Sequence, residues 1–211
     1  YEDGIIQEKV PEIPDYILSN LNHKFSLRYY QKEAIQRFIY YLEHYKNKIK
    51  PTHLLYHMAT GSGKTLIMAT NILYLYNKGY NKFIFFVNST DTIEKTKDNF
   101  LNKEASKYLF AENITFFGNN INVTEVNNFG NTNQDDINIL FTTIQGLHRD
   151  MNEPKENSIT YEDFKDNKVI LISDEAHHIN ALTKSSSQMT ISEQTNINTW
   201  EGTVNSIFQK N

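Results

Sequence analysis

The segment that most constrains this chain is residues 58–65, Met-Ala-Thr-Gly-Ser-Gly-Lys-Thr. It follows a short apolar run at residues 54–57 and opens into the apolar-rich residues 66–73. A buried strand, a glycine-rich turn and the start of a helix form the setting that a phosphate-binding loop needs. An ordinary glycine-serine turn before a helix is the alternative, but it gives no reason for the Gly-Lys-Thr ending. The sequence therefore predicts an α/β domain that binds a nucleoside triphosphate.

Each position of this loop has a predicted task. Gly61 and Gly63 can take positive φ and let the backbone approach a ligand closely. The helix that begins near Lys64 would direct the positive end of its dipole at the phosphates. Lys64 would neutralise the β- and γ-phosphates, and the Thr65 hydroxyl would bind Mg²⁺. The complete set of predicted loop contacts is Thr60, Gly61, Ser62, Gly63, Lys64 and Thr65.

Composition excludes several other kinds of protein. The 211 residues include no cysteine, so a disulfide, a thiolate metal site and a cysteine nucleophile are all excluded. No apolar run approaches the length of a membrane span, and no signal sequence opens the chain, so we expect a cytoplasmic protein without membrane contact. The net charge of −4 means that any contact with DNA must be local. Because the first residue is Tyr1, we expect a piece of a longer polypeptide.

Strands and helices alternate along the sequence. Apolar positions spaced three or four residues apart predict a helix over residues 28–46, and apolar runs predict strands at 82–87, 137–143 and 168–173. This alternation favours a mainly parallel sheet with helices on both faces. We expect a lead-in segment at residues 1–25 and one ATP-binding domain at residues 26–211.

A second candidate motif follows the apolar strand at residues 168–173. Ligand-binding residues of a parallel sheet lie beyond the carboxyl ends of its strands, where Asp174 and Glu175 stand. Asp174 could hold Mg²⁺ through its water shell, and Glu175 could orient and deprotonate an attacking water. The alternative is an acidic helix start that is favoured only by the helix dipole.

The order of these motifs resembles the first motor domain of the superfamily 2 helicases and translocases. Their Asp-Glu-Ala-His box matches residues 174–177, and Met-Ala-Thr-Gly-Ser-Gly-Lys-Thr matches their phosphate loop. Together with Leu-Arg-Tyr-Tyr-Gln-Lys-Glu-Ala-Ile at residues 27–35, these blocks most resemble the restriction subunit of type III restriction enzymes. The resemblance implies a RecA-like P-loop NTPase fold and covers nearly the whole chain, although its specific residues lie in a few short blocks.

The resemblance also assigns residues outside the two carboxylates and the loop. It implies that Gln31 reads the adenine and that Arg28 or Tyr29 packs near the ring. His177 would link the nucleotide site to the cleft that faces a second motor domain. Contacts to the nucleic-acid backbone are implied for Asn88, Ser89, Thr143 and Gln145, although each could equally be a cap or a turn residue.

The resemblance implies a DNA-dependent ATP hydrolase that uses ATP and Mg²⁺ to move on double-stranded DNA. The implied partners are a second RecA-like domain and a nuclease domain of the parent chain, and a modification methyltransferase subunit. Since the arginines of the second domain are not present here, we expect the fragment alone to be nearly inactive. The alternatives are another superfamily 2 motor, either a type I restriction translocase or an unwinding helicase, and a nucleotide-gated DNA-binding module without turnover. A pure switch has no need of a catalytic carboxylate, so Glu175 argues against the last.

Overall fold

The computed structural model describes residues 10–87, 89–165, 167–174, 202–204, 206–207 and 209. The chain divides into two compact units. The first unit consists of Tyr1–Lys78 and Lys103–Ile121, and the second of Gly79–Asn102 and Asn122–Asn211. The predicted boundary between a lead-in segment and a domain at residue 25 stays a prediction.

The first three elements along the chain are helices, and helices and strands are mixed after them. They are α1 (Asp15–Ser19), α2 (Tyr29–His44), α3 (Lys64–Asn77), β1 (Lys82–Val87), α4 (Thr90–Leu101), β2 (Ile114–Phe116), β3 (Asn119–Ile121), β4 (Val123–Glu125), β5 (Ile137–Thr143), α5 (Ile144–Asn152), α6 (Glu162–Lys165) and β6 (Val169–Ser173). The described residues between 202 and 209 are also helical. None of the described helices is long and apolar enough to cross a membrane.

In the first unit, helices α2 and α3 pack side by side. Phe38 of α2 meets Tyr74 of α3 edge-on, with ring centroids 5.5 Å apart. The Tyr74 hydroxyl donates a hydrogen bond to Glu43, which also pairs with Lys78. Burial and the neighbouring carboxylate raise the pKa of Tyr74, so its hydroxyl stays a donor. These contacts tie the helix that follows the glycine-rich loop to α2.

The predicted strand before the glycine-rich loop is not present. Residues 54–57 are extended chain outside every described strand, and the side chains of Leu54 and Leu55 are 40% and 73% exposed. Apolar residues make a segment fit for a sheet, but a strand forms only where a neighbour accepts and donates its backbone hydrogen bonds. The described structure provides no such neighbour here, so this expectation was wrong.

The second unit contains a four-stranded sheet in the order β4-β5-β1-β6. All three of its strand pairings are parallel, and Phe85 of β1 is level with Phe141 of β5 and Ile172 of β6. All six residues of β1 are buried. A continuous apolar strand of this kind is expected in a sheet that is covered on both faces.

Helices cover the two faces of this sheet separately. On one face, the rings of Phe85, Phe100 and Phe141 have centroids 5.7–6.2 Å apart. Because Phe100 belongs to α4, these contacts pack α4 against the sheet. Phe86 points to the other face because successive side chains of a strand alternate. There it belongs to a buried cluster with α5, α6 and the C-terminal helical residues: Ile84, Phe129, Leu140, Ile144, Leu147, Met151, Ile159, Phe164, Val169 and Ile207. The prediction of an α/β fold with a mainly parallel sheet and helices on both faces is therefore confirmed.

We expect Phe100→Ala to lower the free energy of unfolding by about 3–5 kcal/mol. The ring is fully buried between Phe85 and Phe141, so its removal leaves a cavity beneath α4. Urea unfolding followed by far-UV circular dichroism measures the change. Lys95→Ala on the exposed side of the same helix is the control, with an expected change within about 0.5 kcal/mol. A loss below about 1 kcal/mol for Phe100→Ala would contradict this account of the packing.

Candidate functional site

The glycine-rich loop has the backbone conformation that its sequence predicts. Gly61 and Gly63 have φ of +76° and +84°, and Gly63 is the N-cap of α3. The carbonyl oxygen of Gly63 accepts hydrogen bonds from the amides of Leu66 and Ile67, at 3.0 and 3.3 Å. The first N–H groups of a helix have no acceptor within it, and they carry the positive end of its dipole. The loop thus ends at a helix start that can receive an anion.

Lys64 lies over the loop that precedes it. Its Nζ is 3.4 Å from the carbonyl oxygens of both Met58 and Ala59. Both hydrogen bonds are long, at the outer limit for this kind of contact. The ammonium group is therefore held within the loop by weak partners, which a phosphate oxygen can replace.

Ser62 has one polar atom that the protein leaves without a partner. Its amide donates to the carbonyl oxygen of Ala59 at 3.2 Å, so its backbone is part of a tight turn. Its side-chain oxygen is buried and makes no hydrogen bond within the described structure. A buried hydroxyl without a partner costs free energy unless a ligand or a water supplies one. The loop therefore fits a group with several acceptor oxygens, such as a phosphate.

Helix α2 holds the loop at the carbonyl oxygen of Ser62. The side-chain amide of Gln31 donates to this oxygen at 2.8 Å, and the hydroxyl of Tyr30 donates to it at 3.2 Å. The Gln31 side chain also accepts a hydrogen bond from the amide of Arg28 at 2.9 Å, and the Arg28 guanidinium donates to the Tyr30 hydroxyl at 2.9 Å. Three residues from the start of α2 are thereby connected to one peptide of the loop.

An open cleft of about 690 Å³ lies between α2 and the loop. The side of α2 that lines it carries Arg28, Tyr30, Glu33, Ala34, Arg37, Phe38 and Tyr41, and the facing wall is residues 54–62. Gln31 is only 4% exposed and does not line the cleft, while Tyr29 is 81% exposed and lies outside it. Tyr30 lines the cleft but was not predicted as a site residue. It could have been identified from its spacing, because it precedes Ala34 by four residues and Phe38 by eight, which places all three on one helix face.

The predicted residues of the second unit gather at one edge of its sheet. Ser89 and Asp174 follow β1 and β6, and Thr143 is the last residue of β5. These three strands are adjacent and parallel, so their carboxyl ends lie at the same edge of the sheet. The Thr143 hydroxyl caps α5 by accepting the amide of Gly146 at 2.9 Å. The Ser89 hydroxyl lies 3.0 Å from that of Thr92.

The structure says less about the other predicted site residues. Gln145 is exposed on α5, and Asp174 is half-buried. Asn88, Glu175 and His177 lie outside the described residues. Thr65 belongs to the first unit and Asp174 to the second, so their joint Mg²⁺ site stays a prediction. Within the described part of the chain, no group of three or more histidine, aspartate or glutamate side chains is placed to hold a metal ion.

Comparison with known proteins gives one family. The model of the family described as "Type III restriction enzyme, res subunit" matches residues 24–209. Over 182 residues, the chain is 39% identical to a protein of Haemophilus influenzae named "Probable type III restriction-modification enzyme HindVIP Res subunit". That alignment covers 83% of this chain and 35% of the relative, so the chain spans about a third of the relative's length. No solved structure matches.

We expect Ser62→Ala to leave the free energy of unfolding within about 0.5 kcal/mol of the starting protein, or to raise it slightly. The deleted oxygen is buried and has no partner, so no hydrogen bond is lost. Thr143→Ala is the contrasting variant, because it removes a hydroxyl that caps a helix and is expected to cost about 1 kcal/mol. Urea unfolding measures both. A loss above about 1 kcal/mol for Ser62→Ala would mean that its hydroxyl has a stabilising partner.

Proposed function

Because this chain belongs to the family of type III restriction enzyme Res subunits, we propose that it is the ATP-binding first motor domain of a larger restriction protein. The observation that carries the proposal is the loop at residues 58–65. It combines two positive-φ glycines, a helix start, a lysine held by weak partners and a buried hydroxyl without a partner. The parallel α/β sheet of the second unit suits the RecA-like fold that the family implies.

The residues of the loop divide the work of holding a triphosphate. Backbone amides at the start of α3 bind phosphate oxygens, and the positive φ of Gly61 and Gly63 keeps side chains out of the way. Lys64 exchanges its two carbonyl partners for phosphate oxygens and neutralises their charge. The Thr65 hydroxyl would hold Mg²⁺, and the ion would supply charge stabilisation for phosphoryl transfer. Thr60 and Ser62 complete the loop's contacts.

The nucleoside is proposed to occupy the open cleft beside the loop. The cleft lies against residues 59–62 on one side and Arg28 on the other, so a base bound there is continuous with the phosphates. The planar guanidinium of Arg28 can stack on a base, and the mostly apolar wall of the cleft suits a ring. ATP and Mg²⁺ are therefore the proposed ligands of the first unit.

Hydrolysis is proposed to use the acidic box that follows β6. Asp174 would hold the Mg²⁺, Glu175 would deprotonate the attacking water, and His177 would link the nucleotide site to a second motor domain. An arginine supplied by a neighbouring domain is worth on the order of 10³–10⁵ in rate for related reactions. We therefore propose that full turnover needs the parent protein.

The mechanical output is proposed to be movement along double-stranded DNA in the cytoplasm. Asn88, Ser89, Thr143 and Gln145 are the proposed contacts to the nucleic-acid backbone, because short polar side chains suit phosphate contacts that carry no sequence information. The sheet edge at which Ser89 and Thr143 meet supports a common surface for them. The proposed partners are a second RecA-like domain and a nuclease domain in the parent chain, and a modification methyltransferase subunit.

Lys64→Ala should weaken Mg·ATP binding by at least about tenfold, since it removes a charge-assisted contact to the phosphates. Isothermal titration calorimetry on the 211-residue chain measures the affinity. Lys32→Ala is the matched control, because Lys32 is exposed on α2 and should leave the affinity unchanged. Equal affinities for the starting protein and Lys64→Ala would contradict the assignment of the phosphate loop.

Glu175→Gln in the parent protein should leave ATP binding intact and abolish DNA-stimulated turnover. The amide keeps the size of the side chain but cannot accept the proton of the attacking water. Phosphate release measures turnover, and retention of labelled ATP measures binding. Glu156→Gln, at an exposed position, is the control and should turn over normally. Unchanged turnover in Glu175→Gln would remove this residue from the chemistry.

A further inference from the structure

The turn between β2 and β3 presents a phenylalanine to solvent. The hairpin closes at the paired residues Phe116 and Asn119, so its loop consists of Phe117 and Gly118 alone. The side chain of Phe117 is 79% exposed. A single exposed apolar side chain is ordinary on a protein surface, but this one also has an unfavourable backbone conformation.

The backbone of Phe117 is strained. Its φ is +53°, and Gly118 follows with a φ of +84°, which is the pattern of a type I′ turn. Among the described residues other than glycine, only Phe117 and Asn157 have positive φ. Asparagine before glycine is favoured in this turn, whereas a bulky side chain at positive φ crowds the backbone. The turn therefore holds an aromatic residue where asparagine would be less strained.

The strand that leads into the turn is fixed against the rest of the first unit. The buried side chain of Asn20 donates to the carbonyl oxygen of Thr115 at 2.9 Å and accepts its amide at 2.8 Å. Phe116 is also buried, and its ring centroid is 5.7 Å from that of Tyr16 and 4.8 Å from that of Tyr76. A strained conformation persists only where the surrounding structure enforces it. These contacts supply that constraint, and they display the exposed ring of the turn in one position.

The sequence around the turn is uncharged. No lysine, arginine, aspartate or glutamate occurs at residues 113–124, although 22% of the whole chain is charged. The exposed neighbours of the ring are Thr115, Asn119 and Asn120, and the Thr115 hydroxyl donates to the Asn120 side chain at 3.2 Å. Nucleic acid is bound through cationic contacts to phosphates, which this stretch does not offer. The centre of a protein–protein interface has the matching composition, since charged residues are depleted there and aromatic anchors are enriched.

The size of this surface decides what kind of partner it fits. Two separate molecules form a specific complex when they bury on the order of 1,000 Å² or more. One aromatic side chain contributes only roughly 150–250 Å². A partner on the same polypeptide needs less area, because the link keeps it at a high effective concentration. The alignment covers 35% of the Haemophilus influenzae relative, so a parent protein of similar length holds most of its chain elsewhere.

We propose that Phe117 is the anchor of an interdomain contact, in which its ring enters an apolar pocket on another domain of the parent chain. This proposal rests on the larger restriction protein proposed above. The turn makes the ring stand clear of the hairpin, and the side-chain amides of Asn119 and Asn120 can bond to polar groups at the rim of the pocket. Burial of the ring offsets the strain that the turn carries in the isolated domain.

The strain is tested first, on the 211-residue chain. Phe117→Asn should raise the melting temperature by about 2–4 °C, because asparagine suits the turn and no buried contact is lost. Ile49→Asn is the matched control, since Ile49 is equally exposed but does not have a positive φ. Its melting temperature should stay within about 1 °C of the starting protein. Differential scanning calorimetry measures both, and an unchanged or lower value for Phe117→Asn would overturn the proposal.

Hydroxyl-radical footprinting then measures the exposure of the ring in the parent protein. Oxidation of Phe117, read by mass spectrometry and calibrated on an added peptide, should be at least about tenfold slower in the parent than in the 211-residue chain. Equal rates in the two proteins would contradict the contact. Because the partner belongs to the same chain, the protection should not depend on protein concentration. Protection that is lost on dilution, or that needs a separate subunit, would place the pocket on another molecule and reject the proposal.

The same substitution should have opposite effects in the two proteins. In the parent, Phe117→Asn should make the amides of residues 113–122 exchange with deuterium at least about tenfold faster, although it stabilises the 211-residue chain. Exchange at the rate of the unaltered parent would be evidence against the anchor.

Calorimetry with Mg·ATP separates this proposal from the proposed function, because Phe117 lies outside the glycine-rich loop and the open cleft. A protein that does not bind ATP but protects the ring would reject the nucleotide site and uphold the interdomain contact. ATP binding with an unprotected ring would do the reverse.

Discussion

The contact on which the candidate site depends is the pair of hydrogen bonds to the carbonyl oxygen of Ser62. Two glycines with positive φ make the loop possible, but such residues are conformationally permissive and do not select one loop shape by themselves. The Gln31 amide and the Tyr30 hydroxyl provide the selection, since both donate to this oxygen from α2. Gln31 is in turn fixed by the amide of Arg28. The start of α2 therefore specifies the conformation of a loop some thirty residues later in the chain.

Different interactions stabilise the second unit. Its sheet is held by parallel pairing of apolar strands, and each face is filled by its own group of side chains, the three phenylalanines beneath α4 and the cluster beneath α5. Polar residues appear where the strands end, at Ser89, Thr143 and Asp174. Burying a polar side chain within a strand costs free energy unless it is hydrogen-bonded, whereas the end of a strand can expose such a side chain to a ligand. The candidate site residues of this unit therefore lie at one edge of its sheet.

Sequence patterns predicted the elements whose own residues decide their structure. The strand predicted at residues 82–87 was correct, because the five consecutive apolar residues 83–87 have few alternatives to burial between two layers. The helix predicted at residues 28–46 is present as Tyr29–His44. The strand at 54–57 was wrong, because pairing depends on a neighbour that the segment does not encode. The loop was recognisable from its glycines and Lys64. The donors to Ser62 were not, since they come from a helix whose approach depends on the packing of Phe38 against Tyr74.

One arrangement on α2 bears on how a base and a phosphate chain are recognised together. Arg28 and Tyr30 line the open cleft, and they also belong to the hydrogen-bonded group that ends at the Ser62 carbonyl. A ring placed in the cleft would have to share Arg28 with the Tyr30 hydroxyl, or withdraw it. Withdrawal would leave both hydrogen bonds to the Ser62 carbonyl in place, because neither the Tyr30 hydroxyl nor the Gln31 amide needs the Arg28 guanidinium in order to donate to it. Turning the guanidinium toward a ring would therefore leave the loop supported from α2.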